Sequence, residues 1–539
     1  MINFLVEIDA RFSVSNTDVN GINIYLSFLS NPLNPENPSN NIILNKNVPV
    51  RLIPPSFNRK LSDVINGVYL NQGFSLTLIN NDGYFDNDKK NYSNFPETNY
   101  FGADVRLYKT NKINPEYSDF NLIGKGVIIN TITTFNDFII EVADDLKSLN
   151  NDFSKPISEL NISFPYYTYH SFFGAGGMID NTLKDNIPYV YGTSLIELKH
   201  LTTNAILNYL LSNAILQPQW IDASFEIYFL ANNIQEILAI YNSKGEQLDF
   251  LQYWENYTAN NSRLKILDNR QNMCVIYRKY DNWPINPSPP ELIEQDKQPA
   301  FALVKGGPSN IGEVIKDILY TRQNISYNNY FFNVKEYDLF IAQTHNISTV
   351  ISSGSIKQVI NNVIKNDNAF FIQQPDGRLT IRRYDLDYNE KTINNKYLTK
   401  IENKSFNDFD NNFIYNILIR YNLEINPQLP LPETRIGFIS LVNNNSKSIY
   451  KKSNIRAIDT QIINNYSANN FGQNILNRFS YAKIILKISV GYDISDYNLL
   501  DTVTLNLTDI NNRNFSEAKR WKIIEINYAH DTLVLEEII

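Results

Sequence analysis

The sequence predicts a mainly β chain of α+β type, divided into several domains with a few packing helices. Three observations carry this expectation. Short runs of alternating apolar and polar residues recur, as where Phe74, Leu76 and Leu78 alternate with Ser75 and Thr77. Clusters of Asn, Asp, Gly and Pro punctuate these runs, the cadence of a barrel or sandwich. Helical spacing is confined to short stretches, the clearest being Ile356, Val359, Ile360, Val363 and Ile364.

The chain has 539 residues, which at roughly 150 per domain implies three or four domains. Residues 1–150 are expected to form an N-terminal β-barrel or sandwich. Strand candidates there are 4–8, 22–28, 74–78, 105–108, 126–132 and 138–142, with a Pro- and Asn-rich loop at 31–41. Residues 151–300 read as an irregular α+β insertion with helix candidates at 201–211 and 234–240. It holds strand candidates at 225–229 and 273–280 and ends in a Pro-rich linker at 282–299. Residues 301–400 read as a helix and hairpin domain: a helical stripe at 312–319, then a second through Ile364. Strands 369–373 and 378–384 flank Pro375-Asp376-Gly377, whose glycine supplies a positive φ for a tight turn. Residues 401–539 are expected to be β-barrel-like, with a helix at 467–479 and strands at 484–490, 502–507, 521–528 and 532–537.

Charge and composition exclude several functions. The net charge of −8 is spread along the chain without basic blocks, so sequence recognition of nucleic acid is not expected. One cysteine, Cys274, excludes an intrachain disulfide framework and reads as a small buried residue of an apolar run. The start lacks a basic n-region, and no apolar stretch reaches the ~18–20 residues that span a bilayer, so neither a signal peptide nor a membrane span is expected. Abundant asparagine reads as a compositional bias rather than as special chemistry.

No motif carries catalysis, and neither cofactor nor metal is expected. His170, His200, His345 and His530 are far apart, without the spacing that sets two imidazoles on one helical face, and read as surface or loop residues. A GxSxG elbow is absent. The glycines at 174–177 lack the Gly-Lys-Ser/Thr ending of a phosphate loop, and Asp82, Asp86 and Asp88 lack the closing glutamate of a calcium loop. Asp144 with Asp145, and Asp408 with Asp410, are the tempting pairs for glycoside hydrolysis.

Several passages, in order, resemble the tail-tip or baseplate hub proteins of tailed bacteriophages and of phage-like particles such as gene transfer agents and prophage tails. Residues 74–86 resemble a strand followed by "N-x-DG-x-F-D", and 142–149 resemble "D-x-L-K-x-L". Residues 187–192 look like "I-P-x-V-Y-G", and 314–319 look like "V-I-x-x-I-L". The stretch 353–385 is similar to a helix followed by "D-G-x-L-x-I", and 471–503 to a helix followed by "L-x-D-x-V". Residues 193–300 match no such pattern.

The resemblance implies barrel modules of tail-tube type in a structural, non-enzymatic virion protein, assembled in the host cytoplasm and located at the tail tip. The expected partners are further copies of itself, as a homotrimer, with tail-tube and distal tail proteins and spike or fibre proteins. The hub would join the tube to the central spike or receptor-binding fibres. A receptor- or carbohydrate-binding tail protein is the alternative, and a tail-associated glycosidase the third reading. Arg378, Arg382 and Arg383, read as a basic outer strand, are the expected contact between subunits.

Overall fold

The computed structural model describes residues 2–14, 18–28, 42–43, 46–47, 50–61, 67–69, 73–81, 85, 98–113, 115–143, 147–154, 163–164, 167–168, 186–201, 225–248, 250–251, 264–267, 272–278, 299–322, 324–406, 413–423, 436–451, 454–506 and 519–538. The 174–177 glycines, the 282–298 part of the linker and nearly all of the 201–211 helix candidate lie outside these residues.

Alternation near the N-terminus produces a six-stranded antiparallel sheet. Its order is Asp18–Phe28, Asn3–Val14, Thr98–Thr110, Asn121–Thr133, Asp137–Ala143, Phe74–Ile79. Residues 50–53 bond to both of its edges. Leu52 N donates to Ser27 O at 3.1 Å, Ile53 N to Thr77 O at 2.9 Å, and Ile79 N to Arg51 O at 2.8 Å. The strands thus form a closed hydrogen-bonded ring, which removes the open edges a flat sheet would expose. Phe74, Leu76 and Leu78 point inward while Ser75 and Ile79 are exposed, as period-two patterning requires.

A second sheet is built from the C-terminal part of the chain, in the order Lys391–Asn394, Thr502–Asn506, Lys519–Asn527, Thr532–Glu537, Ile484–Val490, Leu398–Phe406. After the barrel-closing segment, the Asn58–Lys60 strand crosses over and pairs with Lys519–Asn527. Barrel and C-terminal sheet share one hydrophobic core. Phe57 sits at the seam, its ring 5.3 Å from Phe74 of the barrel and 5.8 Å from Tyr528 of the C-terminal sheet.

The hairpin of Ala369–Gln373 and Leu379–Arg383 forms between them, extended by a parallel partner, Gly67–Tyr69. Both hairpin strands are buried throughout. Phe370 and Ile372 join the core of barrel and C-terminal sheet, whereas Ala369 and Phe371 face a second core. One strand is therefore the wall between two hydrophobic interiors. Helices Ile311–Asp317, Val334–Gln343 and Ile356–Ile364 cover the second core. Ser355 caps the last of these reciprocally with Gln358, the Ser355 hydroxyl accepting from Gln358 N at 3.3 Å and Gln358 Oε1 accepting from Ser355 N at 2.8 Å. Asn310 caps the first by accepting from the N–H groups of Gly312 and Glu313.

The hairpin corrects one expectation. Leu379–Arg383 is the edge strand of its three-stranded sheet but is buried rather than outward-facing, because helix Val334–Gln343 and the turn at residues 499–501 cover it. Residues 234–240 are corrected as well. They contribute to strand Glu236–Asn242, antiparallel to Pro299–Lys305, and not to a helix. That strand is buried on both faces, so its near-continuous apolar run lacks the alternation that distinguishes a strand.

Strand Tyr189–Tyr191 ends at Gly192, where φ is +70° and an added Cβ would lie 2.5 Å from Ile347 O. Only glycine tolerates that left-handed, close-packed position. Further along, Asn416–Asn422 is the middle of three strands, antiparallel to Ile436–Val442 and parallel to Ile455–Asp459. Helix Asn465–Phe479 packs on one face through Phe471, Ile475, Leu476 and Phe479. Two described helices, Val334–Gln343 and Asn444–Tyr450, have no counterpart in the sequence expectations.

Candidate functional site

Charged side chains converge where the hairpin meets its covering helix and the C-terminal sheet. Strand Leu379–Arg383 aims Arg382 away from solvent, with none of the residue exposed. Its Nε and Nη2 donate to the two oxygens of Glu336, each at 2.8 Å, a bidentate fork onto the first turn of helix Val334–Gln343. Nη1 donates to Leu499 O at 2.6 Å and to Asp501 Oδ1 at 2.8 Å. Asn389 Nδ2, at 3.2 Å, and Asn498 N, at 2.8 Å, donate to the Asp501 carboxylate. The Tyr388 ring lies 5.0 Å from the guanidinium. One arginine therefore ties three elements together.

Electrostatics follow from burial. Desolvation alone would lower the Arg382 pKa, but Asp501 and Glu336 outweigh it and hold the guanidinium above its ordinary value. Desolvation lifts Asp501 above the usual carboxylate range, with Arg382 offsetting part of the effect. Arg383 turns to Gln343 O at 2.6 Å and to both oxygens of Asp385 at 3.0 and 2.8 Å. Arg378 stays at the turn, half-buried, 2.6 Å from Asp376. Of the three arginines expected at a subunit contact, the structure thus places Arg382 and Arg383 inside the chain and Arg378 at the turn.

Other buried cations stitch neighbouring elements. Arg59 donates to Gln373 O, joining the crossing strand to the hairpin. Arg478 lies 3.6 Å over the Tyr384 ring and 3.4 Å from Glu536, and Lys483 is 3.6 Å from the same carboxylate. Burial lowers the Lys483 pKa to about 8, Glu536 offsetting part of it. Lys522 donates to Thr502 Oγ1 at 2.8 Å and to Leu386 O, and burial lowers its pKa to about 8. On the barrel side, fully buried Lys109 meets Asp531 and Asp493.

The sequence reading missed Glu336, Asp501 and these lysines. Asp501 was visible as the acid of "L-x-D-x-V" and Glu336 as an acid in a helical first turn, but nothing local pairs either with an arginine. His345 lies in the loop after helix Val334–Gln343, one of the two placements expected of it, but is buried there, and desolvation lowers its pKa. The carboxylates Asp82, Asp86, Asp88, Asp144, Asp145, Asp408 and Asp410 lie outside the described residues. Among the described residues no group of three or more His, Cys, Asp or Glu is placed to hold a metal ion, and no helix is long and apolar enough to cross a membrane.

The outer surface carries a contrasting feature. Beyond the barrel rim, residues 129–136 are all exposed, and Phe135 at the hairpin tip is 92% exposed.

No protein-family model matches the chain, and neither does any of the curated proteins compared with it. Among solved structures, the chain is similar to the 43 kDa tail protein of prophage MuSo2 from Shewanella oneidensis, at 9% identity. That alignment spans 99% of this chain and 98% of the other, with a TM-score of 0.38. A chain from the virion of the native gene transfer agent particle aligns at 8% identity over 66% of this chain and 84% of its own, with a TM-score of 0.39. Prophage tail protein gp18 from Listeria monocytogenes EGD-e aligns at 7% identity over 99% and 94%, with a TM-score of 0.34. Likeness at these identities and scores carries no functional inference, so the reading below rests on this chain's own residues.

Proposed function

We propose that the chain is a structural protein of a phage-type tail, and that it acts as the tail-tip or baseplate hub that joins the tail tube to a spike or to receptor-binding fibres. The observation that supports this reading is spatial. The passages that resemble hub proteins are scattered over more than four hundred residues, yet all except the 471–480 helix, which packs in a separate core, meet in two adjoining cores. Leu149, Ile187, Tyr191, Val314, Leu319 and Ile381 share the helix-covered core. Phe74, Leu76, Leu499 and Val503 share the other. The hairpin strand Ala369–Gln373 divides them, and Arg382 locks them to Asp501. Buried cations that only join parts of the same chain suit a rigid assembly part, not a reaction centre.

In this reading the protein self-associates, with a homotrimer as the expected form, and binds tail-tube protein. It is a virion component at the tail tip. Light scattering of the purified chain, alone and mixed with its tube protein, tests this. The expected result is a trimer or a larger ring-like complex. A monomer that ignores the tube protein overturns the hub reading.

A further inference from the structure

The charged group at Lys109 has a composition that an ion pair alone does not need. Lys109 lies at the end of barrel strand Thr98–Thr110, between Phe4 and Asn121 in the pairing, and its side chain is completely buried. Its Nζ contacts Asp531 Oδ1. The second oxygen, Oδ2, accepts from Asn111 Nδ2 at 2.8 Å. Asp493 Oδ1 stands 3.2 Å from the same Nζ, oriented by Ser495 N at 3.0 Å. Asp531 occupies the turn before the last strand with φ of +48°, a left-handed position that sets its carboxyl against the barrel.

A primary amine, a carboxyl polarised by an amide donor, and a second carboxylate within reach of the amine thus share one site from which water is largely excluded. We propose that this is a modification site: Lys109 and Asp531 condense to an intramolecular amide that cross-links the N-terminal barrel to the C-terminal sheet, with Asp493 carrying the protons. Asp493 relays one proton from the Lys109 ammonium to the Asp531 carboxylate, leaving a neutral amine and a neutral acid, and the freed nitrogen lone pair attacks Asp531 Cγ to form the N–C bond. A second proton then passes from nitrogen through Asp493 to the hydroxyl oxygen, the C–O bond to that oxygen breaks, and it leaves as water, with Asp493 returned to its starting state. Nothing is oxidised or reduced, and no co-reactant is required.

Proximity supplies the rate, since well-oriented intramolecular partners reach effective molarities of about 10⁵–10⁸ M. Burial supplies the direction. An ion pair of this kind retains a desolvation penalty on both charges, which a neutral amide removes. Desolvation also pushes the Asp531 carboxyl above its usual range, with Lys109 and Asn111 offsetting part, which favours the neutral, electrophilic acid.

Intact-mass measurement on the folded full-length chain tests the proposal, followed by proteolysis and peptide sequencing. The wild-type chain is expected one water lighter than its sequence, with a branched peptide joining Lys109 to Asp531. Lys109→Arg keeps the charge but not the nucleophile and is expected at its full sequence mass. Asp493→Asn, which leaves Lys109 and Asp531 in contact, is also expected at full mass. A folded wild-type chain at full mass, with Lys109 and Asp531 on separate peptides, overturns the proposal, as does a water loss that maps elsewhere. A branched peptide from Asp493→Asn overturns the role given to Asp493.

Discussion

Arg382→Met isolates the account of the junction. The substitution keeps an apolar stem of similar reach but removes all four hydrogen bonds to Glu336, Leu499 O and Asp501. Asp501 then remains fully buried with a charge and no cation at 2.8 Å. Removing one partner of a buried pair costs about 3–5 kcal/mol, whereas an exposed pair is worth about 0–1 kcal/mol. Denaturant unfolding read by tryptophan fluorescence and circular dichroism measures the loss. Arg382→Lys is expected to recover only part, because an ammonium cannot make the bidentate fork to Glu336. Arg382→Met combined with Asp501→Asn is expected to lose less than the sum of the single changes, with a coupling of about 1–3 kcal/mol. A loss below about 1 kcal/mol for Arg382→Met, or strict additivity, refutes the claim that this arginine holds the three elements together.

Phe57→Ala is expected to cost about 3–5 kcal/mol, since it empties the seam between Phe74 and Tyr528; thermal unfolding measures it. Gly192→Ala is expected to lower the unfolding free energy by roughly 1–2 kcal/mol from its positive φ alone, with a further loss from the approach to Ile347 O, measured by denaturant unfolding. Between about pH 8 and pH 10 the folded state holds fewer protons than the unfolded state at Lys483 and Lys522, so these two groups make stability rise with pH. Unfolding midpoints across that window are expected to rise less in Lys483→Met. Burial raises the Tyr384 pKa, and that group acts in the opposite sense at higher pH, which sets the upper limit of the test. Phe135→Ser, at a fully solvated hairpin tip, is expected to change stability by no more than about 0.5 kcal/mol in denaturant unfolding.

Local patterns were legible in the sequence and distant meetings were not. The stripe from Ile356 to Ile364 and the alternation from Phe74 to Leu78 became the helix and the barrel strand expected of them, because one face of each meets solvent or a single core. Strand Glu236–Asn242 failed the same logic because both of its faces are buried, which erases the alternation. Leu379–Arg383 failed for a related reason. Its arginines look like the marks of a solvent-facing strand, yet Glu336 and Asp501 neutralise Arg382 from 46 and 119 residues away. Such a pairing is a property of the tertiary fold, and no window of sequence contains it. The same holds for Lys109 with Asp531, separated by 422 residues.

Microscopy of intact particles carrying an antibody label on this chain is the most direct test of the central claim. Label at the end of the tail tube, where a hub would join the tube to spike or fibres, is the expected result. Label along the fibres alone, or particles that carry none, would contradict it.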